Sequence, residues 1–323
     1  MRSKTRRLGL GRLGHAAAIV TVLGLAGIPS TTEAEPQTKV ILNGKPVAVF
    51  FNDGDSFRVL TGTGKARLRG YNTLESYGPV HQWGSWTAKE LYVLAKMATL
   101  HARAGVWECS SDGKLDTYGR MLVWCPELAE ELVRMGYAHV LSIDDNPGEP
   151  ALVAAQKEAI ENRRGLWSHG VPDFVLTSLH SAEEDVDGHG TYNRLVSTKD
   201  GHSAKWKHNN RYNECDKVCQ KVYEVDETTL ADLTAAMLAD NKIKRWTGGL
   251  SEADMRSVAH DFIKFRHLNR KVPYEKREKM QEHMERNYVA QGKLGDPSYT
   301  EGSCMIHVPF KRRFGGGRAE CLK

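Results

Sequence analysis

Val47-Ala48-Val49-Phe50-Phe51-Asn52-Asp53-Gly54-Asp55-Ser56-Phe57-Arg58-Val59-Leu60 reads as two strands around an acidic turn. β-Branched and aromatic residues suit a pleated, half-buried surface, and Asn, Asp and Gly end the runs because each favours turn geometry. Outward from this stretch, Val40-Ile41-Leu42 precedes it and Lys65-Ala66-Arg67-Leu68 follows. Asn43-Gly44 and Gly62-Thr63-Gly64 separate the runs, which is hairpin spacing. Residues 85–103 carry Trp86, Leu91, Leu94 and Met97 on one expected apolar helix face, and Gly105 ends the run. Val106-Trp107-Glu108-Cys109 and Met121-Leu122-Val123-Trp124-Cys125 read as two more strands joined by a turn at Asp116–Arg120. Pro126 opens a second helix at a favoured first-turn position, and a third, Ala151 to Arg164, stops at Gly165. These short strand runs with helices are read as an α+β domain over residues 38–168, a five-stranded OB-type barrel with packed helices.

The chemistry in that domain is concentrated in four pieces: Asp53-Gly54-Asp55, Arg67, Asn72-Thr73-Leu74-Glu75 and Asp116-Thr117-Tyr118-Gly119-Arg120. They offer carboxylate and carbonyl oxygens for a hard cation and a further carboxylate able to orient or deprotonate water. Two guanidinium forks add bidentate phosphate binding. That set suits in-line attack on a phosphodiester.

The order and spacing of these pieces, with the helix-forming Glu127-Leu128-Ala129-Glu130-Glu131-Leu132-Val133-Arg134-Met135-Gly136 and the closing Gly165-Leu166-Trp167, resemble the staphylococcal nuclease (thermonuclease) family over about residues 38–168. The resemblance implies Asp55, Asn72 and the carbonyl of Thr73 as ligands of Ca²⁺, with Mg²⁺ or Mn²⁺ as substitutes. It implies Glu75 at the attacking water, Arg67 and Arg120 on the phosphate, and Tyr118 as a substrate-binding residue. Asp53 is expected to shape the turn rather than to ligate. The implied substrate is DNA, with RNA as a second candidate. Several positions depart from the family. Asn72 stands where it carries an aspartate, which lowers the ligand charge, and Leu74 replaces a proline. Thr117 replaces a phosphate-facing lysine, and Ser142 and Asp144 replace two tyrosines that flank the base. Stacking on such rings is worth roughly 1–3 kcal/mol per base. Tyr77, His81, Trp83 and Trp86 are candidates for a replacement platform, although aromatics in such a stretch are more often core.

The N-terminus has the layout of an export signal: Arg2, Lys4, Arg6, Arg7 and Arg12, an apolar run at 16–28, and small residues around Thr32-Glu33-Ala34. Cleavage near Ala34 and a secreted or periplasmic destination are expected, with no stable membrane insertion afterwards. Five of the 45 basic and one of the 40 acidic residues lie in 1–34, leaving 40 and 39. The basic excess therefore belongs to the signal and says nothing about nucleic acid. Six cysteines remain: Cys109, Cys125, Cys215, Cys219, Cys304 and Cys321. An even set in an exported chain favours disulfides. A Cys109–Cys125 bridge is expected because the two residues flank one turn. The other four can pair or, at unusual spacing, hold zinc.

Residues 169–323 are expected to form a mainly helical, cysteine-containing C-terminal extension of unknown function. Residues 168–223 are polar, with many Gly, His and Asn. Three helices are expected after them, from Thr228 to Ala239, after Ser251, and from Pro273. Lys311-Arg312-Arg313 makes a basic run near the end. The combined reading is a secreted metal-dependent nuclease. Its rivals are a catalytically weakened OB module that only binds nucleic acid, and an envelope interaction protein driven by the extension.

Overall fold

Alternation of inward and outward side chains organises the first sheet. In a computed structural model describing residues 38–323 except 63, 186, 187, 189 and 314–316, the runs around the acidic turn become β1 (Thr38–Leu42), β2 (Lys45–Phe51), β3 (Ser56–Val59) and β4 (Lys65–Leu68). The expected export signal lies outside the described residues. Val40, Val49, Phe51, Phe57, Ala66 and Leu68 point inward and are buried. Phe50 points outward beneath the guanidinium groups of Arg58 and Arg103, at 4.9 and 4.2 Å.

Two further strands join this sheet at opposite edges. β7 (Val106–Cys109) runs parallel to β1, and β8 (Met121–Val123) runs parallel to β4, giving the order β7-β1-β2-β3-β4-β8. All six runs become strands of this sheet, one more than a five-stranded barrel has, and β7 and β8 are its two edges, meeting each other only at the antiparallel bridges just beyond them. Ser110 and Trp124 exchange backbone bonds of 2.8 Å, and Cys109 is bridged to Cys125. The expected disulfide therefore ties one edge of the curled sheet to the other. A separate pair, β5 (Gly70–Thr73) with β9 (Ala138–Leu141), extends from β4. Gly70 makes that change of direction at φ +89°, where a Cβ would lie 2.6 Å from the Trp124 ring.

α1 (Ala88–Ala104) starts at a capping box formed by Thr87 and Glu90. Its buried stripe is Leu91, Ala95, Ala98 and Ala102, and Met97, expected on that face, is exposed. Small residues let the helix approach the sheet closely, so side-chain size misidentifies the face. α2 (Pro126–Arg134) and α3 (Pro150–Glu161) complete this layer. Trp83 packs against Trp167, and both are buried.

The C-terminal half is mixed rather than mainly helical. β10 (Phe174–Ser178), β11 (Thr191–Ser197) and β12 (Ser203–His208) form an antiparallel sheet. The buried face of β11 includes Thr191 and Asn193, whose polar side chains mask the alternation; Asn193 donates to the Tyr212 hydroxyl and accepts from the His180 N–H. α4 (Glu227–Ala239), α5 (Asn241–Thr247), α6 (Glu252–Phe265) and α7 (Tyr274–Met284) form a helical cluster around Met237, Val258, Phe262 and Met280. β13 (Lys217–Tyr223) pairs with β14 (Tyr299–Ile306), which pairs in turn with β6 (His81–Gln82) from the first half. Residues 37–323 form one unit. Bridges Cys215–Cys321 and Cys219–Cys304 staple the β13–β14 region, and no described cysteine is free. Among the described residues, no helix is long and apolar enough to cross a membrane.

Candidate functional site

The acidic turn is built to aim one carboxylate inward. Asp53 caps it, accepting from the Ser56 hydroxyl at 2.7 Å and from the Asp55 N–H at 3.2 Å. Gly54 lies so close to its neighbours that a Cβ would meet the Thr73 methyl at 2.6 Å, and its carbonyl accepts from the Tyr71 hydroxyl at 2.8 Å. Asp55 is consequently buried and directed at β4 and β5. One oxygen accepts from the Arg67 guanidinium; the other accepts from the Thr73 N–H at 2.7 Å and its hydroxyl at 3.1 Å. Arg67 faces Ser56 in the β3–β4 register, so the strand pairing itself brings it onto Asp55.

Asn72 completes the corner. Its Oδ1 accepts from Arg67 at 2.6 Å, and its Nδ2 donates to the Thr73 carbonyl at 2.8 Å and faces His139 Nε2 at 3.3 Å. His139 stands opposite Asn72 in the β5–β9 register, with Nδ1 3.0 Å from the Val140 carbonyl. A proton on Nδ1 makes Nε2 the acceptor for Asn72. Burial lowers His139 to about 4 and so keeps the ring neutral.

The electrostatics record an excess of acid. Burial, and then repulsion from Asp55, raises Asp53 to about 7 against the Ser56 bond and the Arg67 charge. Burial likewise raises Glu75 to about 7; Arg313 opposes that shift most strongly, Asp55 adds to it, and Arg67 and Arg120 oppose it. Burial works against the charge of Arg67, but Asp55, Asp53 and Glu75 outweigh it and raise its pKa. Asp55 and Asn72 share Arg67 through their oxygens, and the Thr73 carbonyl accepts from Asn72, so every atom these three could offer a cation is an oxygen, with the charges of Asp53 and Glu75 within electrostatic reach. Oxygen-only chemistry and buried negative charge of this kind fit a hard divalent cation.

The other expected residues lie on the rim. Arg120 donates to Asp116 through Nε at 2.7 Å and through its backbone N–H at 2.9 Å. Burial opposes the charge of Asp116, but the bonds from Arg120 and Tyr118 prevail and hold its carboxyl below the usual range. Arg120 lies within electrostatic reach of Glu75. Tyr118 is 64% exposed, with Arg120 5.5 Å from its ring centre. The alternative aromatic platform is not assembled, since His81 and Trp83 are buried and Trp86 donates to the Leu166 carbonyl at 3.0 Å. Tyr77 is half-buried in a cluster that includes Leu322.

Three participants escape sequence reading. His139 has no motif, and nothing in the Asp116–Arg120 piece marks Asp116 as the group that holds Arg120. Arg313 belongs to a basic run far along the chain, and only the folded structure brings its charge to Glu75. Among the described residues, the only tight set of three His, Cys, Asp or Glu donors is Cys219, Glu301 and Cys304, within 4.8 Å of one another. Its two cysteines are bridged, so those sulfurs form a staple rather than a zinc site.

Residues 65–169 match the family described as staphylococcal nuclease homologue. The matched stretch runs from β4 to just past Trp167. The match takes in Arg67, Asn72, Thr73, Glu75, Tyr118 and Arg120, while Asp55 lies ahead of it. No curated protein matches the chain.

Proposed function

We propose that this protein is a secreted, metal-dependent nuclease that hydrolyses phosphodiester bonds of DNA, and of RNA as a second substrate. The observation that supports the reading most is Glu75, a half-buried carboxylic acid on which the charges of Arg313, Asp55, Arg67 and Arg120 all bear. A proton acceptor works best with a pKa near the working pH, and Glu75 is raised to about 7. In this reading Glu75 orients the attacking water and accepts its proton. Arg67 exchanges its bonds to Asp55 and Asn72 for the substrate phosphate, leaving those oxygens for a cation. Arg120 moves its guanidinium onto the phosphate as negative charge builds there. Asp55, Asn72 and the Thr73 carbonyl would hold Ca²⁺, with Mg²⁺ or Mn²⁺ as substitutes, and an ion held there would supply Lewis-acid charge. Three disulfides accord with export to an oxidising compartment.

Arg120→Lys tests the assignment, because a lysine cannot reproduce the bidentate fork. The expected cost is about 2.7–4 kcal/mol of transition-state stabilisation, the scale for one preorganised donor, with the melting temperature unchanged. Cleavage within threefold of wild type removes Arg120 from the mechanism. One observation favours the rival in which the domain only binds nucleic acid: Asn72 is uncharged and its Oδ1 is already engaged by Arg67. Oligonucleotide binding without cleavage under every divalent cation supports that rival.

A further inference from the structure

The C-terminal tail runs along the rim of the acidic corner. β14 pairs with β6 a few residues past Glu75, and the Ile306 N–H donates to the Val80 carbonyl at 2.8 Å. After β14 the short helix α8 (Phe310–Arg313) lies against the turn that carries Arg120: the Phe310 ring stacks on Tyr118 at 6.2 Å and 25°. Phe310 is 41% and Tyr118 64% exposed. The chain end is anchored by the Cys215–Cys321 bridge and by Leu322, which packs so tightly on Gly78 that a Cβ there would lie 2.5 Å away.

Arg313 is held differently from its neighbour. Arg312 is paired with Glu214 at 3.0 Å. Arg313 donates Nε to the Val308 carbonyl at 2.7 Å and Nη2 to the Leu179 carbonyl at 2.9 Å. Those acceptors fix the guanidinium without neutralising it. Among the described residues no carboxylate forms an ion pair with Arg313, and its charge bears on Glu75, Tyr77, His81 and His180. A guanidinium fixed by uncharged acceptors, on the same short helix as one ring of a stacked aromatic pair, is a combination that suits single-stranded nucleic acid: the cation takes a backbone phosphate and a ring takes an unpaired base.

We propose that the Phe310–Arg313 segment forms a second wall of the substrate cleft, with Arg313 contacting a phosphate next to the scissile one and the Tyr118–Phe310 stack receiving a base of a single strand. The proposal rests on the nucleic-acid reading above and extends it to a substrate class. The wall makes the C-terminal half a part of the substrate site. Arg313 is a positioning residue here, not a participant in bond breaking.

The test is equilibrium binding of a fluorescein-labelled oligothymidylate to the full-length mature protein in EDTA, which needs no cleavage, over a salt series. Phe310→Ala is expected to weaken binding about tenfold, within the range for one lost stacking contact, and to change duplex binding less than threefold. Arg313→Ala should lower the magnitude of the log–log salt slope by about 0.7, one single-strand phosphate, while Arg313→Lys keeps the slope. Calorimetric melting of each variant separates these effects from unfolding. Wild-type affinity and slope in both alanine variants overturn the wall. An equal slope change in Arg313→Lys and Arg313→Ala overturns the charge role. Oligonucleotide binding that depends on Phe310, without metal-dependent cleavage, overturns the nuclease reading and leaves the wall standing. Cleavage that is indifferent to both residues does the reverse, and a wild type that binds no oligonucleotide contradicts both.

Discussion

The acidic corner and the C-terminal rim meet near Glu75 but are held by different means. The corner is assembled within about one strand hairpin: Asp53, Asp55, Arg67, Asn72 and Thr73 all lie between β2 and the end of β5, and the pairing of adjacent strands brings them together. The rim is assembled from afar. β14 reaches back to β6, α8 reaches the turn at Tyr118, and a bridge spanning 106 residues pins the end. Local assembly costs little loop-closure entropy, whereas distant assembly must be secured by covalent links or extensive burial. The corner can therefore keep its geometry under perturbations that release the rim. Chemistry placed in the corner and substrate grip placed on the rim would then be separable by mutation.

The largest separation is expected from Glu75→Gln. It removes the proton acceptor while preserving size, so cleavage should fall by about 10²–10⁴, the usual contribution of a positioned acid–base group. Oligonucleotide affinity should remain within a few-fold, read by anisotropy on the same samples. Retained cleavage would place the chemistry elsewhere.

Next in size is the contrast between the staples. Removing Cys215–Cys321 with paired serines opens a loop of 106 residues, and removing Cys109–Cys125 opens one of 16. The chain-entropy account gives about 4.7 kcal/mol for a 100-residue loop and about 3 kcal/mol for a 15-residue one. Calorimetry should therefore show the larger drop in melting temperature for the long-range bridge. The opposite order would show that tying the edges of the curled sheet matters more than anchoring the rim.

Asn72→Asp probes the corner alone and is a smaller effect. It adds the charge that favours a hard cation, so calorimetric titration should find tighter Ca²⁺ binding. It also removes the amide N–H that faces His139 Nε2. Equal or weaker Ca²⁺ affinity would take Asn72 out of the ligand set.

The smallest expected effect lies at the seam between the two regions. His81, on β6, is buried, and burial first, then the neighbouring His139, lowers its pKa from 6.5 to about 3. A histidine depressed on folding contributes stability that is complete above about 6.5 and is lost as the pH falls through that value toward 3. His81→Phe should flatten the pH dependence of the melting temperature across that window. An unchanged profile would mean that other groups set the acid sensitivity.

How much was legible in the sequence follows the same division. Asp55, Arg67, Asn72 and Thr73 were grouped through the resemblance to the nuclease family, and pairing of neighbouring strands brings them together in the fold; the disulfide at Cys109–Cys125 followed from proximity along the chain. The topology it serves was not legible: β7 and β8 read as a hairpin but lie at opposite edges, because parallel pairing with β1 and β4 leaves no local signal. The strands of 174–208 were hidden by buried polar residues such as Thr191 and Asn193. Alanines carry the inner face of α1, so the larger Met97 misdirected the reading. Arg313 was visible as part of a charge run, yet nothing in its neighbourhood of sequence connects it with Glu75, some 240 residues earlier.

The account turns on whether the corner performs hydrolysis. The direct measurement is cleavage of single-stranded and duplex DNA and of RNA by the purified mature protein, in EDTA, Ca²⁺, Mg²⁺ and Mn²⁺ in parallel, with Glu75→Gln alongside. The account predicts cleavage that EDTA abolishes, a divalent cation restores and Glu75→Gln loses. Undiminished cleavage in EDTA, or equal cleavage by Glu75→Gln, would contradict it.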